Sequence, residues 1–334
     1  MQGEGKAVGG GMQPGPSRVA GTNGGVDGVA SGTGSSGGGG KGWLIAAFAA
    51  VYVIWGSTYL AIRFAIETLP PFLMAAVRFL VAGSVLYAWA RWRGAERPGT
   101  THWRAAFIAG GLLLAGGNGA LVWAEQRVAS GVAALLVATV PLWMVMLHWM
   151  LEDGGRPTGR VVAGLGLGLA GIGVLVEPGA LLGGGRIDPV GAGALVLGSL
   201  SWAAGSLYAR TAPLPTRPRL GTGMEMLAGG ALLVLAGVAT GEVARLDPGG
   251  VTLRSAAGLV YLIVFGSLIA FSAYVYMLRE ASPARVATYA YVNPVVAVLL
   301  GWGLAGEPLT ARTLVASVII IGAVVLITLG PRRA

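Results

Sequence analysis

The chain has no cysteine. That absence excludes disulfides, thiolate metal sites and cysteine nucleophiles together, and leaves the redox compartment open. Charge is scarce as well: 11% of the 334 residues are charged, against roughly 25% in a soluble globular domain. Too little charge remains to cover a water-facing surface, so the composition reads as a membrane protein. Lysine occurs only twice, against 21 arginines. The apolar segments hold a single histidine, His148, and no aspartate, which leaves too few convergent acid–base groups for an enzyme acting on lipid inside the bilayer. A phosphate loop is lacking too. GSSGGGGKG (34–42) carries Ser35 where the leading glycine belongs and Gly42 where Ser or Thr belongs, so no nucleotide site and no cofactor are expected.

What is present is hydrophobicity, at 54% of residues and a mean hydropathy of +0.72. From Trp43 onward it falls into blocks long enough to cross a hydrocarbon core of roughly 30 Å as helices: 42–62, 71–90, 105–124, 128–150, 160–177, 189–209, 221–240, 255–278, 282–305 and 311–330. The expected fold is an all-α integral membrane protein with ten transmembrane helices. Residues 1–41 precede them as a Gly-rich tail, with 16 glycines in the first 40 positions, a composition expected to stay disordered. The net charge of +9 sits in short loops rather than in one stripe, which points to topology and not to nucleic acid. With the N-terminus inside, sixteen Lys and Arg fall in inner segments and six in outer loops. Both termini are therefore expected in the cytoplasm, in a multi-pass protein of the cytoplasmic (inner) membrane.

Shifting the chain by 147 residues matches Trp55 with Trp202, Leu60 with Leu207, Arg63 with Arg210, Pro71 with Pro218, Leu80 with Leu227 and Gly83 with Gly230. SGVAALLVATVP (130–141) parallels SPARVATYAYVNP (282–294). The implied halves are 42–177 and 189–330. Each holds five spans, an odd number, so the second half must lie inverted relative to the first, the architecture by which transporters alternate access around a site at the repeat interface. The same shift pairs Arg78 with Glu225, each seven residues past its proline and about 10 Å into its helix. These two intramembrane charges are candidates for mutual pairing, for contact with a charged solute or for proton coupling. Alternatively, each reaches the nearby interface.

WGSTYLAIRFAIETLPPFLMAAVRFLVAG (55–83), GNGALVWAEQRVASGVAALLVATVPLW (117–143) and ATYAYVNPVVAVLLGWGLAGEPLT (287–310) resemble the EamA family of the drug/metabolite transporter superfamily, from about Trp43 to Gly330. The resemblance implies a ten-helix inner-membrane carrier of two five-helix inverted repeats, usually an exporter of amino acids, other metabolites or drugs. One departure is visible: GEPLT (306–310) in the second half faces LEDGGRPTGR (151–160) in the first, so Glu152 and Glu307 are read as charges at helix ends.

Other candidates follow from residue type. Pro141 and Pro294 are read as breaks in the middles of spans four and nine, each freeing a backbone carbonyl, either as packing kinks or as openings to a cavity. Asn118 and Asn293 are buried amides that seek hydrogen bonds from a neighbouring helix or from a ligand. Trp55 and Trp202, with Tyr59, Tyr208, Tyr289 and Tyr291, either pack as core or line an aromatic cavity. Trp43, Trp89, Trp92, Trp103 and Trp149 read as the interfacial belt, and GLGLGLAGIG (164–173) reads as close helix approach or a homodimer face. The leading reading is a secondary transporter exporting a small organic solute, amino acid-like solutes being favoured, around a site lined by spans one, three, four, six, eight and nine. Its rivals are a channel or a non-transporting scaffold. Expected partners are the solute, membrane lipid and a second copy of the chain.

Overall fold

In the computed structural model the described residues are 37–128, 133, 136–151, 156–175, 188–305 and 311–328. Of the tail expected over 1–41, residues 1–36 lie outside them, as do Glu152 and Glu307, while residues 37–41 are not a disordered tail but the first residues of a helix. Every long element is a helix: α1 Gly37–Ala65, α2 Pro71–Trp92, α3 Thr100–Ala124, α4 Val140–Leu151, α5 Gly159–Leu175, α6 Pro189–Thr211, α7 Pro218–Ala239, α8 Leu253–Glu280, α9 Tyr289–Ala305 and α10 Ala311–Thr328. No strand occurs among the described residues. A bilayer offers the backbone no water, so a spanning segment must satisfy its own peptide groups, and a helix does that within one segment. Among the described residues, six helices are long and apolar enough to cross a membrane (α1, α2, α3, α6, α7 and α8), while α4, α5 and α10 contain shorter apolar stretches.

Sequence sets the helix ends. Proline opens α2, α6 and α7 at the first helical position, where its missing N–H costs nothing. Asp188 caps α6 by accepting from Val190 N at 2.9 Å. Gly94, at φ 78°, ends α2: Gly94 N donates to Arg91 O and Ala95 N to Ala90 O, both at 3.0 Å, the paired bonds of a Schellman motif. Pro141 stands at an interruption of expected span four: it is the second residue of α4, just after a turn at Ala138 and Thr139, where its missing N–H costs little. Pro294 does lie inside a helix, α9.

The burial pattern inverts that of a soluble helix. On α2, Val77, Val81 and Val85 face outward with 43–49% exposure, while Arg78, Phe79, Ala82 and Gly83 face inward. Lipid is the solvent for the valine stripe. Helices then approach closely where small residues meet. A Cβ at Gly83 would lie 2.9 Å from Gly223 O and 3.0 Å from Leu227 N, and one at Gly230 would lie 2.9 Å from Leu80 Cγ, so α2 and α7 pack antiparallel backbone to backbone. Gly164 and Gly171 likewise seat α5 on Ile327 and Ile320 of α10, and Gly168 receives the Tyr291 ring. The glycine run of α5 is thus largely used within the chain. Around these pairs, α1 packs on α8 and α9, while α6 packs on α3 and α4.

Two helices carry π-helical stretches that the sequence reading missed, Gly111–Asn118 in α3 and Leu262–Phe271 in α8. The wider turn shifts the backbone bonding, and neighbouring helices donate to these stretches: Ser201 Oγ to Leu112 O at 2.8 Å and Trp55 Nε1 to Gly266 O at 3.2 Å. Such stretches gather at functional sites. The clustered glycines at 110, 111, 116, 117 and 119 were the available signal.

Candidate functional site

A cavity of about 80 Å³ lies between α1, α2, α3, α4, α6, α8 and α9. All six expected spans contribute, and α2 joins them. Its polar lining comes from Thr58, Tyr59, Arg78, Asn118, Ser199, Tyr289 and Asn293, and its apolar walls include Trp55, Phe79, Trp202 and Phe271. The upper lining (Tyr59, Ile62, Leu121 and Leu195) stands near the helix ends at the 66–70 turn.

Arg78 supplies the charge. The α2–α7 contact holds its helix at the centre of the bundle, and the guanidinium is buried, with Nε donating to Ser267 Oγ at 2.7 Å and the Phe79 ring centroid 4.8 Å from Cζ. A Cβ at Gly266 would lie 2.8 Å from Arg78 Nη2, so the glycine beside Ser267 makes room for the fork. The π-helical stretch of α8 thereby answers how an arginine is tolerated in α2: one helix gives it an acceptor and the space to reach it. The remaining N–H groups border the cavity. Asn118 and Asn293 line the same cavity, and the Oδ1 of each is buried without a hydrogen-bond partner among the described residues. Native interiors rarely leave such atoms unmatched.

An aromatic cluster closes the cavity away from the 66–70 turn. Trp55 touches Trp202 at 5.6 Å between ring centroids and Tyr274 and Tyr289 at 5.0 Å each, while Tyr274 meets Trp202 at 5.5 Å and Tyr289 at 5.6 Å. The Tyr274 hydroxyl accepts from Trp202 Nε1 at 2.9 Å and bonds Ser206 Oγ at 2.5 Å. Tyr274, fully buried, escaped the sequence reading, because a tyrosine in an apolar helix carries no signal of what it will meet.

Of the expected site residues, Trp55, Tyr59, Arg78, Asn118, Trp202 and Asn293 come together here. Tyr291 does not: its hydroxyl donates to Leu165 O at 3.3 Å in a separate cluster with Leu165, Val295 and Ile320. Glu225 also lies apart from the cavity. It is fully buried on α7, and both carboxylate oxygens lack a hydrogen-bond partner among the described residues, so it does not pair with Arg78. Arg279, at the end of α8, approaches the same helix one turn earlier, its Nη2 4.0 Å from a Cβ placed on Gly221. Pro141 and Pro294 flank Val140 and Asn293, which line the cavity. No group of three metal-ligating side chains occurs among the described residues. Of the tryptophans expected at the interfaces, Trp43, Trp92, Trp103 and Trp149 are exposed and Trp89 is half-buried.

A bundle of apolar helices enclosing a buried cation, unmatched amides and an aromatic floor defines a multi-pass membrane protein with a small polar interior cavity. Comparison with known proteins narrows the class. The sequence matches the EamA-like transporter family over residues 41–176 and again over 189–329, and the chain belongs to that family. It is 45% identical over 288 residues, 86% of this chain and 91% of the other, to the uncharacterized inner membrane transporter YedA of Escherichia coli (strain K12). It is 27% identical over 276 residues to Protein PecM of Dickeya dadantii (strain 3937), covering 82% and 88% of the two chains. A solved crystal structure superposes with a TM-score of 0.68 at 24% identity, over 86% of this chain and 97% of that one, which bears on the fold alone. The protein is a membrane transporter.

Proposed function

We propose that the chain is a secondary transporter of ten transmembrane helices, α1–α5 and α6–α10 forming two inverted repeats, which exports a small organic solute by alternating access. The contacts support the repeat. Trp55 meets its own mate Trp202, as residues beside a two-fold axis do. Under the shift of 147, the approach of Gly83 to Leu227 and that of Gly230 to Leu80 are images of one another. The pairings α1 with α8 and α6 with α3 exchange in the same way, and the π-helical stretches fall at corresponding places in α3 and α8. Two separate family matches divide the chain at the same point.

The observation that carries the function is the cavity, whose lining joins Arg78 and two amides with unmatched oxygens to aromatic walls. A guanidinium calls for a carboxylate, and amide oxygens call for N–H donors such as an ammonium. An amino acid-like solute offers both. The cavity's about 80 Å³ is near half the ~150 Å³ that admits a benzene ring, so a solute enters only as helices part. With both termini read as cytoplasmic, the aromatic cluster lies on the inner side of the cavity and acts as its barrier, and the π-helical stretches of α3 and α8 provide the backbone play for closure. Glu225 carries the coupling proton: a carboxylate charge with no bonded partner is costly to bury, so proton exchange follows its access to water.

Reconstituted vesicles loaded with an unlabelled amino acid should accumulate the labelled one by counterflow, and Arg78→Gln should abolish this. Conductance without counterflow identifies a channel, and neither activity identifies a scaffold. Solute-driven pH change in the same vesicles should vanish in Glu225→Gln; unchanged proton movement in that variant refutes its coupling role.

A further inference from the structure

A second cavity, of about 290 Å³, lies at the opposite end of the helices from the 66–70 turn, between the loop after α2 and the loop before α7. Its lining includes Arg97, His102, Thr216 and Arg217, with Glu96 the one acidic residue. The site is constructed, not a gap between loose loops. The Schellman turn at Gly94 fixes one wall, Arg91 Nη1 donates to Ala95 O, and Arg217 Nη1 donates to Arg93 O at 2.7 Å across the two loops. Ala95 and Leu220 form an apolar floor in one buried cluster with Ala90, Ala106 and Met224. Arg219 and Arg93 stand at the rim, 4.3 and 5.6 Å from the Trp89 ring centroid. His102 accepts from Gly99 N at its Nδ1, at 3.3 Å, which leaves Nε2 as its outward donor or acceptor. The first N–H groups of α3, at the same edge, have no partner within their helix.

Below His102 the wall continues as apolar surface. Trp103 stacks against Tyr87 of α2 at 5.9 Å, and Trp103, Phe107 and Ile108 are exposed by 38%, 54% and 43% on α3. A cationic cavity beside exposed apolar surface at the end of a membrane helix matches one molecule at both ends. We infer that this site binds an anionic phospholipid, its phosphate held by Arg97, Arg217 and His102 and an acyl chain lying along Trp103 and Phe107. Basic pockets at membrane-helix ends hold such headgroups, and the apolar surface favours lipid over free phosphate. The site is separate from the solute cavity and does not depend on the identity of the solute.

The test uses purified full-length protein in a neutral detergent, titrated with dioleoyl phosphatidylglycerol, dioleoyl phosphatidylcholine or inorganic phosphate. Thermal midpoint and lipid retention in native mass spectra are read. Phosphatidylglycerol should raise the midpoint and stay bound, and the other two should do neither. In R97Q/R217Q the phosphatidylglycerol midpoint should weaken roughly thirty-fold, the contribution of two cations at an anionic headgroup. R156Q/R160Q removes equal charge from exposed positions elsewhere at the same end of the helices and should leave binding intact. Equal loss in both double variants, or no loss in either, overturns the site. A shift produced by phosphate alone, with lipid adding nothing, overturns the lipid. If R97Q/R217Q does not fold, H102Q and R97Q singly decide the question by the same readouts.

Discussion

Glu242 holds the start of the helix that carries Arg78. It follows α7, is 1% exposed, and accepts from Phe72 N at 3.3 Å and Leu73 N at 2.9 Å, the second and third residues of α2. The residue at the N-cap position is Pro70, which makes no side-chain cap bond, so a carboxylate from 170 residues away supplies the cap. Loss of a side-chain cap costs roughly 1 kcal/mol. A buried negative charge at a helix N-terminus contributes up to about 2 more. Glu242→Ala should therefore destabilise the protein by about 2–3 kcal/mol, and Glu242→Gln, which keeps one acceptor but no charge, by about half that. At roughly 2–4 °C per kcal/mol, the alanine variant should melt about 5–10 °C lower by circular dichroism in detergent. Arg78 stands seven residues beyond Pro71, so fraying of the first turn should also weaken solute affinity. An alanine variant that melts within a degree of wild type refutes the capping argument.

Arg78→Lys should keep partial counterflow and Arg78→Gln none, because a point charge replaces part of what the fork does; equal activity in both argues that charge is irrelevant. Ser267→Ala removes the acceptor of Arg78 Nε and should cost about 1–3 kcal/mol of stability, read as a lowered melting midpoint with altered solute affinity. Tyr274→Phe leaves the Trp202 N–H without its acceptor and should make vesicles leak solute without counterflow; a tight membrane would show that the aromatic floor is not the barrier. Gly83→Val drives two methyls into the α7 backbone and should cost at least about 1–3 kcal/mol, whereas Gly166→Ala, with nothing within 4 Å, should be neutral. Reporter fusions at residues 94 and 216 should fall on one side of the membrane and at 126 and 249 on the other; any other result breaks the inverted repeat.

The amino-acid order alone pointed to the membrane class and to most of the helices, and it offered Trp55, Tyr59, Arg78, Asn118, Trp202 and Asn293, which the fold brings to one cavity, because hydrophobic runs and rare buried polar groups are local signals. The shift of 147 residues pairs Trp55 with Trp202, and their rings touch. Partnership was not local and could not be read. The pattern offered Glu225 as a mate for Arg78, yet the guanidinium turned to Ser267, 189 residues away, where Gly266, lacking a side chain, leaves room for it in the π-helical stretch of α8. Tyr291 looked equivalent to Tyr289, but two positions along a helix point in different directions, and one ring entered the cavity wall while the other packed on α5. Capping by Glu242 and the aromatic floor around Tyr274 likewise join residues far apart in the chain. Sequence fixes what each segment can bury, and only the packed bundle decides which buried groups face one another.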